Sequence, residues 1–338
     1  MAPEYQSPDD DLESDRDDLE DRKESEQLSS QRRLIRIRSW WGIGIGGFVV
    51  AVHIGWLFLF SMIGAELDFS VLFRSIFFIL GLFGLVAGIY GLYYARSLKI
   101  QDLTPSPEAI DFARRSEAVT PYFTMILIGS IIAVFVAQMT TGLEASIEAA
   151  AFDKSAFRNE GQYWRLLTGG ALHGGLLHIY FNSQALYGFG SLMEYLSNRA
   201  QVAIVFLLAV IGGGLLSLVF MPDGISVGAS GGIMGLIGYM AIYAYRRKAQ
   251  LPPDFLKSML INVGFIAAFG IIAYQLVDNF AHIGGFLVGA VYAFIQVPKD
   301  LKADPRKTNS IVNTLGIVAI AIYIAEAAFA IFRITGRA

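Results

Sequence analysis

Nine apolar runs of bilayer length follow one another along this 338-residue chain, and they constrain it more than any single motif does. A helix needs about 20 apolar residues to cross a hydrocarbon core, where it must satisfy all its own backbone hydrogen bonds. The runs lie at about 41–64, 70–95, 121–139, 177–195, 202–221, 230–246, 257–276, 279–297 and 310–332. The fourth and sixth are short or polar by hydropathy alone. The expected fold class is an all-α polytopic membrane protein that lives in the lipid bilayer.

Charge placement supports this. Charged residues make up 16% of the chain, against about 25% in ordinary soluble domains. Residues 1–31 hold 12 of the 29 acids and 3 of the 26 basic residues. With so little apolar surface to bury, this segment reads as a disordered acidic tail, extending to about residue 33. The remainder carries a modest basic excess without a basic face, which excludes a nucleic-acid binder. The acidic start does not read as a secretory signal peptide. The absence of cysteine excludes disulfides, thiolate metal sites and a cysteine nucleophile.

Gln31–Trp41, QRRLIRIRSWW, fits a cytoplasmic membrane edge with interfacial tryptophans. With the N-terminus in the cytoplasm, the inner loops carry Arg96, Lys99, Arg114, Arg115, Arg199, Arg246, Arg247, Lys248, Lys299, Lys302, Arg306 and Lys307, while the short outer loops carry no Lys or Arg. Lys154, Arg158 and Arg165, in the long outer loop at about 140–165, break the pattern. That loop is expected to fold onto the membrane. Two polar linkers divide the spans into two, six and one: a pair at 34–98, a linker at 99–120, a six-span block at 121–298, and a linker with the last span at 299–338.

Polar groups within a bilayer are costly, so each is a functional hypothesis. Ser230 opens a helix in Gly228-Ala229-Ser230-Gly231-Gly232, where first-turn N–H groups can face a developing oxyanion. Taken alone, that run also fits small-residue helix packing. His282, in Ala281-His282-Ile283-Gly284-Gly285, can serve as general base or as a satisfied buried imidazole. Gly285 and Gly289 form a close-packing face. His178 and Asn182 share one helix face and can both donate to an oxyanion. His173 reads more readily as structural.

His178, Ser230 and His282 each fall within about four residues of the outer end of a span running inward. They therefore share one depth at 1.5 Å of rise per residue, as an acyl-transfer site requires. Asp278, one turn before His282, reads as a helix cap rather than a third catalytic acid. His173, His178 and His282 lack metal-site spacing, so neither a metal nor another cofactor is expected. His53, in the first span, reads as hydrogen-bonded to a neighbouring helix.

In these motifs the sequence resembles the rhomboid intramembrane serine proteases, over roughly residues 115–298. Trp164-Arg165 lies in the long outer loop; His173, His178 and Asn182 keep the family's spacing; Gly228-Ala229-Ser230-Gly231 opens the fourth helix of the block; Ala281-His282-Ile283-Gly284-Gly285, extended by Gly289, lies in its sixth. The resemblance implies a six-helix rhomboid core with two extra N-terminal and one extra C-terminal transmembrane helices. It implies Ser230 as nucleophile, His282 as base, and His178, Asn182 and the Ser230 N–H as the oxyanion hole. Trp164, Arg165 and His173 would be structural. The implied partners are transmembrane segments of single-pass membrane proteins, cleaved in or near the bilayer. The implied location is a plasma (inner) membrane, with the site opening to the outer side and the helix near 257–276 a gate for entry. Met234 stands where some bacterial members place a tyrosine against the histidine. A rhomboid-like pseudoprotease that binds such segments without cutting is the alternative, and a transporter is disfavoured because no internal repeat is visible.

Overall fold

The computed structural model describes residues 8–64 and 66–336, with side chains from residue 22 on. It is all-helical apart from one two-stranded pairing, and it divides into two compact units. One holds the chain up to Ser106 together with Ile272–Leu276; the other holds Pro107–Ile271 and Val277 onward.

The first unit is a helical hairpin of α1 (Pro8–Met62) and α2 (Ile76–Ser97), joined through a 3₁₀ turn at Phe69–Arg74. Its helices approach closely because glycines line both. A Cβ on Gly46 or Gly88 would strike backbone atoms of the other helix. His53 does bond to the neighbouring helix: its Nδ1 is 2.8 Å from the Val49 carbonyl and its Nε2 is 2.9 Å from Ser75 Oγ, the cap of α2. The acidic segment expected to be disordered is helical from Pro8, in one piece with the first span. Residues 1–7 lie outside the described residues. The physical reason is propagation: a span already formed removes the nucleation cost, and Glu, Leu, Lys and Arg extend it readily.

The second unit opens with the short amphipathic α3 (Pro107–Glu117) and the apolar α4 (Tyr122–Thr141). The long loop that follows α4 is folded. It contains α5 (Leu143–Ala150), β1 (Phe152–Asp153), α6 (Lys154–Asn159) and α7 (Arg165–Thr168). Then come α8 (Leu176–Leu196), α9 (Arg199–Phe220), β2 (Ile225–Ser226) and α10 (Ser230–Arg246). The unit closes with α11 (Phe255–Ile272), α12 (Asn279–Gln296) and α13 (Ser310–Ile334). β1 and β2 pair antiparallel, Phe152 opposite Ser226.

Seven helices among the described residues are long and apolar enough to span a membrane: α1, α2, α4, α9, α11, α12 and α13. The fourth and sixth expected spans form α8 and α10, which are not in that set. Their composition follows from their position. Twelve of the 17 residues of α10 are buried, so protein rather than lipid surrounds it and its glycines serve packing. By contrast α11 buries only Met259 and Gly270. The last helix, α13, belongs to the second unit: Gly316 sits against Ala200 of α9, and Tyr323 packs edge-on against Phe206 at 5.2 Å.

Candidate active site

Three helix starts converge. Ser230 is the first residue of α10, His282 the fourth of α12, and His178 the third of α8. His282 Nε2 stands 2.8 Å from Ser230 Oγ, so the imidazole can accept the hydroxyl proton. What holds the pair is the seam between α10 and α12. A Cβ on Gly285 would strike the Gly231 carbonyl, and one on Gly289 the Gly235 carbonyl. Only glycine allows the two backbones this near, and their nearness fixes the serine–histidine distance.

No side chain caps the first turn of α10. Its leading N–H groups, Ser230's among them, have no acceptor within the helix and can serve an oxyanion beside Oγ. Gly228, two residues earlier, has φ +122°, and a Cβ there would lie 2.9 Å from both Cε1 and Nε2 of His178 and 3.8 Å from Ser230 Oγ. Conformation and space both demand glycine. The same distances place the Nε2 edge of His178 beside Ser230. The Gly174 N–H donates to His178 Nδ1 at 3.2 Å, which assigns the imidazole proton to Nε2, on the Ser230 side. Asn182, buried one turn on, donates one amide hydrogen to the His178 carbonyl at 2.9 Å and keeps a second.

His173 lies fully buried behind this edge, its ring 5.1 Å from that of His178. Its Nδ1 faces the Ala171 carbonyl at 3.1 Å. The motif reading missed what grips it. Gln138 of α4 donates to the His173 carbonyl at 3.1 Å and accepts its N–H at 2.9 Å. A buried glutamine late in an apolar span was the available signal. Also missed was Gly213 of α9, where a Cβ would press on the Ala281 carbonyl beside His282.

The three basic residues expected to break the charge pattern, Lys154, Arg158 and Arg165, all have partners. Arg158 pairs with Asp223 at 2.7 Å. Lys154, with no exposed surface, pairs with Asp278 at 3.4 Å. Arg165, 7% exposed, donates to the Ala151 and Glu148 carbonyls at 2.9 and 3.1 Å and to Gln162 at 2.5 Å. Its guanidinium also lies 4.8 Å from the Trp164 ring, which receives Arg333 of α13 at 5.0 Å. Trp164 and Arg165 thus fasten the outer loop to the helices. Arg165→Ala removes charged donors from two carbonyls, of which Ala151's keeps the Asp153 N–H; we expect a loss of roughly 2 kcal/mol, read as a lower thermal unfolding midpoint in detergent. Asp278 caps α12 by accepting the Ala281 N–H at 2.9 Å, and its carboxylate bonds no imidazole.

A search against known proteins bears on this arrangement. Residues 160–299 match the rhomboid domain. Over these residues the chain carries a rhomboid domain. Residues 160–299 take in the seam, the three helix starts and the Trp164-Arg165 anchor. Relatives include RHOMBOID-like protein 6, mitochondrial, of Arabidopsis thaliana, 37% identical over 140 residues, or 39% of this chain and 43% of that one. Rhomboid protease GluP of Bacillus subtilis (strain 168) is 31% identical over 192 residues, covering 53% of this chain and 36% of the relative. Rhomboid-like protease 5 of Toxoplasma gondii is 30% identical over 154 residues, 44% and 18% of the respective chains. The matches span less than half of each of these relatives. The rhomboid fold and the apolar helices make this an integral, multi-pass membrane protein.

Proposed function

We propose that this rhomboid protein is an intramembrane serine endopeptidase that cleaves single-pass membrane proteins in or near their transmembrane segments. The observation that carries the reading is the 2.8 Å contact between His282 Nε2 and Ser230 Oγ at the head of an uncapped helix. In the proposed reaction His282 takes the Ser230 proton as Oγ attacks the scissile carbonyl. The oxyanion receives the Ser230 N–H, His178 Nε2–H and the spare Asn182 amide hydrogen. His282 then protonates the leaving amine, and water it activates releases the acyl-enzyme. The relatives named as proteases, GluP of Bacillus subtilis and Rhomboid-like protease 5 of Toxoplasma gondii, support the same reading. A bilayer helix shields its carbonyls, so helix-breaking residues in the substrate should favour cleavage. With the N-terminus in the cytoplasm, the site opens to the outer side of a plasma (inner) membrane.

The test is cleavage of a tagged single-pass substrate, with a glycine- and proline-containing transmembrane segment, by the protein in liposomes. Product from wild type and none from His282→Ala supports the proposal. Stable binding of the segment by wild type without cleavage would replace it with a pseudoprotease. His178→Ala removes one oxyanion donor but not the nucleophile, so kcat should fall about 100- to 1000-fold with KM little changed, measured by initial rates against substrate mole fraction.

A further inference from the structure

Resting on the protease reading, we propose that Asp278 is a positioning residue that sets the Ser230–His282 distance. Its carboxylate gathers four elements. It accepts hydrogen bonds from Ser217 of α9 and Ser226 of β2, caps α12 through the Ala281 N–H at 2.9 Å, and pairs at 3.4 Å with Lys154 at the start of α6. Lys154 has no exposed surface, and the Asp278 side chain is 16% exposed.

The register gives this cluster its reach. Ser226 lies four residues before Ser230, and Asp278 four residues before His282. One carboxylate therefore grips the segment leading to the nucleophile and the segment leading to the base. Both segments are short and constrained. Between Ser226 and Ser230 the Gly228 N–H is pinned to the Gly169 carbonyl at 2.9 Å, and the Asp278 carbonyl accepts the His282 N–H at 3.1 Å. Against the cost of burial, the two serine hydroxyls, the Ala281 N–H and the lysine's countercharge together favour the charged carboxylate. Asp278 touches neither reacting atom; it acts through the two backbones that carry them.

Removing Asp278 alone strands a buried lysine, so the informative variants remove both charges. For Asp278→Ala with Lys154→Met we expect kcat per active site to fall on the order of 100-fold, the cost of a misplaced catalytic group, with KM within about 3-fold. Asp278→Asn with Lys154→Met restores an acceptor and a helix cap, and should recover kcat to within about 5-fold of wild type. Active sites are titrated by exhaustive labelling of Ser230 with a fluorophosphonate, so that unfolded protein is not counted. An alanine variant with wild-type kcat per titrated site overturns the proposal, as does an asparagine variant no better than the alanine one. Labelled, cleaving wild type alongside either result leaves the protease reading standing. Wild type that neither labels nor cleaves overturns both.

Discussion

Ser230→Ala is expected to abolish proteolysis while leaving the fold intact. Its hydroxyl makes one hydrogen bond, to His282 Nε2 at 2.8 Å, and replacing it with a methyl creates neither a large cavity nor a clash. The chemistry, in contrast, loses its nucleophile. Where serine and histidine act as a unit, removing either costs on the order of 10⁶-fold in kcat, and removing both costs little more. Ser230→Ala, His282→Ala and the double variant should therefore sit at the same residual rate, below detection on a gel. Thermal unfolding midpoints within a few degrees of wild type would show that folding is not the cause. An additive loss in the double variant would mean that the two residues work separately.

The largest structural effect is expected from Gly289→Ala. The added methyl meets the Gly235 carbonyl, a backbone atom on the helix that also carries Ser230, and no rotamer change relieves it. Overpacking of this kind costs roughly 3 kcal/mol and moves α12 away from α10. Gly289→Ala should lower the unfolding midpoint and cleavage together. Gly129→Ala in α4 is the control, since nothing lies within 4 Å of a Cβ there. It should leave both unchanged. Equal tolerance at the two sites would show that the glycine seam does not set the approach of the helices.

Much of this was legible before any coordinates, because bilayer physics writes itself into sequence. The apolar runs appear as helices with ends within a few residues, except where α1 begins at Pro8 rather than near 41, where Ser75 delays the start of α2 and where α11 stops at Ile272. The helices that hydropathy registers weakly, α8 and α10, carry much of the candidate site. α10 packs against protein, so glycine replaces the aliphatic residues that lipid demands, while the apolar signal of α8, with seven of its 21 residues buried, is weakened by His178, Asn182, Ser183, Gln184 and Glu194 along its length. Ser230, His282 and His178 were readable because shared depth and motif order agree. Gln138, Gly213 and the Lys154–Asp278 pair were not. The contacts that matter lie 35 or more residues away: a glutamine late in an apolar span signals a buried polar group but not that His173 is what it grips, and nothing local marks a loop lysine as the countercharge of a helix cap. Lys154 even misled, as an apparent exception to the charge rule. Once buried against Asp278 it is a neutralised pair and no longer a topological signal. The acidic segment shows the opposite error: its composition argues for disorder, while the span it adjoins extends the helix through it from Pro8.

The most direct test of the central claim is covalent. Wild type, Ser230→Ala and His282→Ala are reconstituted in liposomes, treated with a biotinylated fluorophosphonate, digested and mapped by mass spectrometry. The account predicts a single modified site, Ser230, in wild type, with no adduct in either variant. Such an adduct requires a hydroxyl activated by its neighbour, which no packing role for the motif supplies. Modification of another serine, or undiminished labelling of His282→Ala, would contradict the assignment of nucleophile and base.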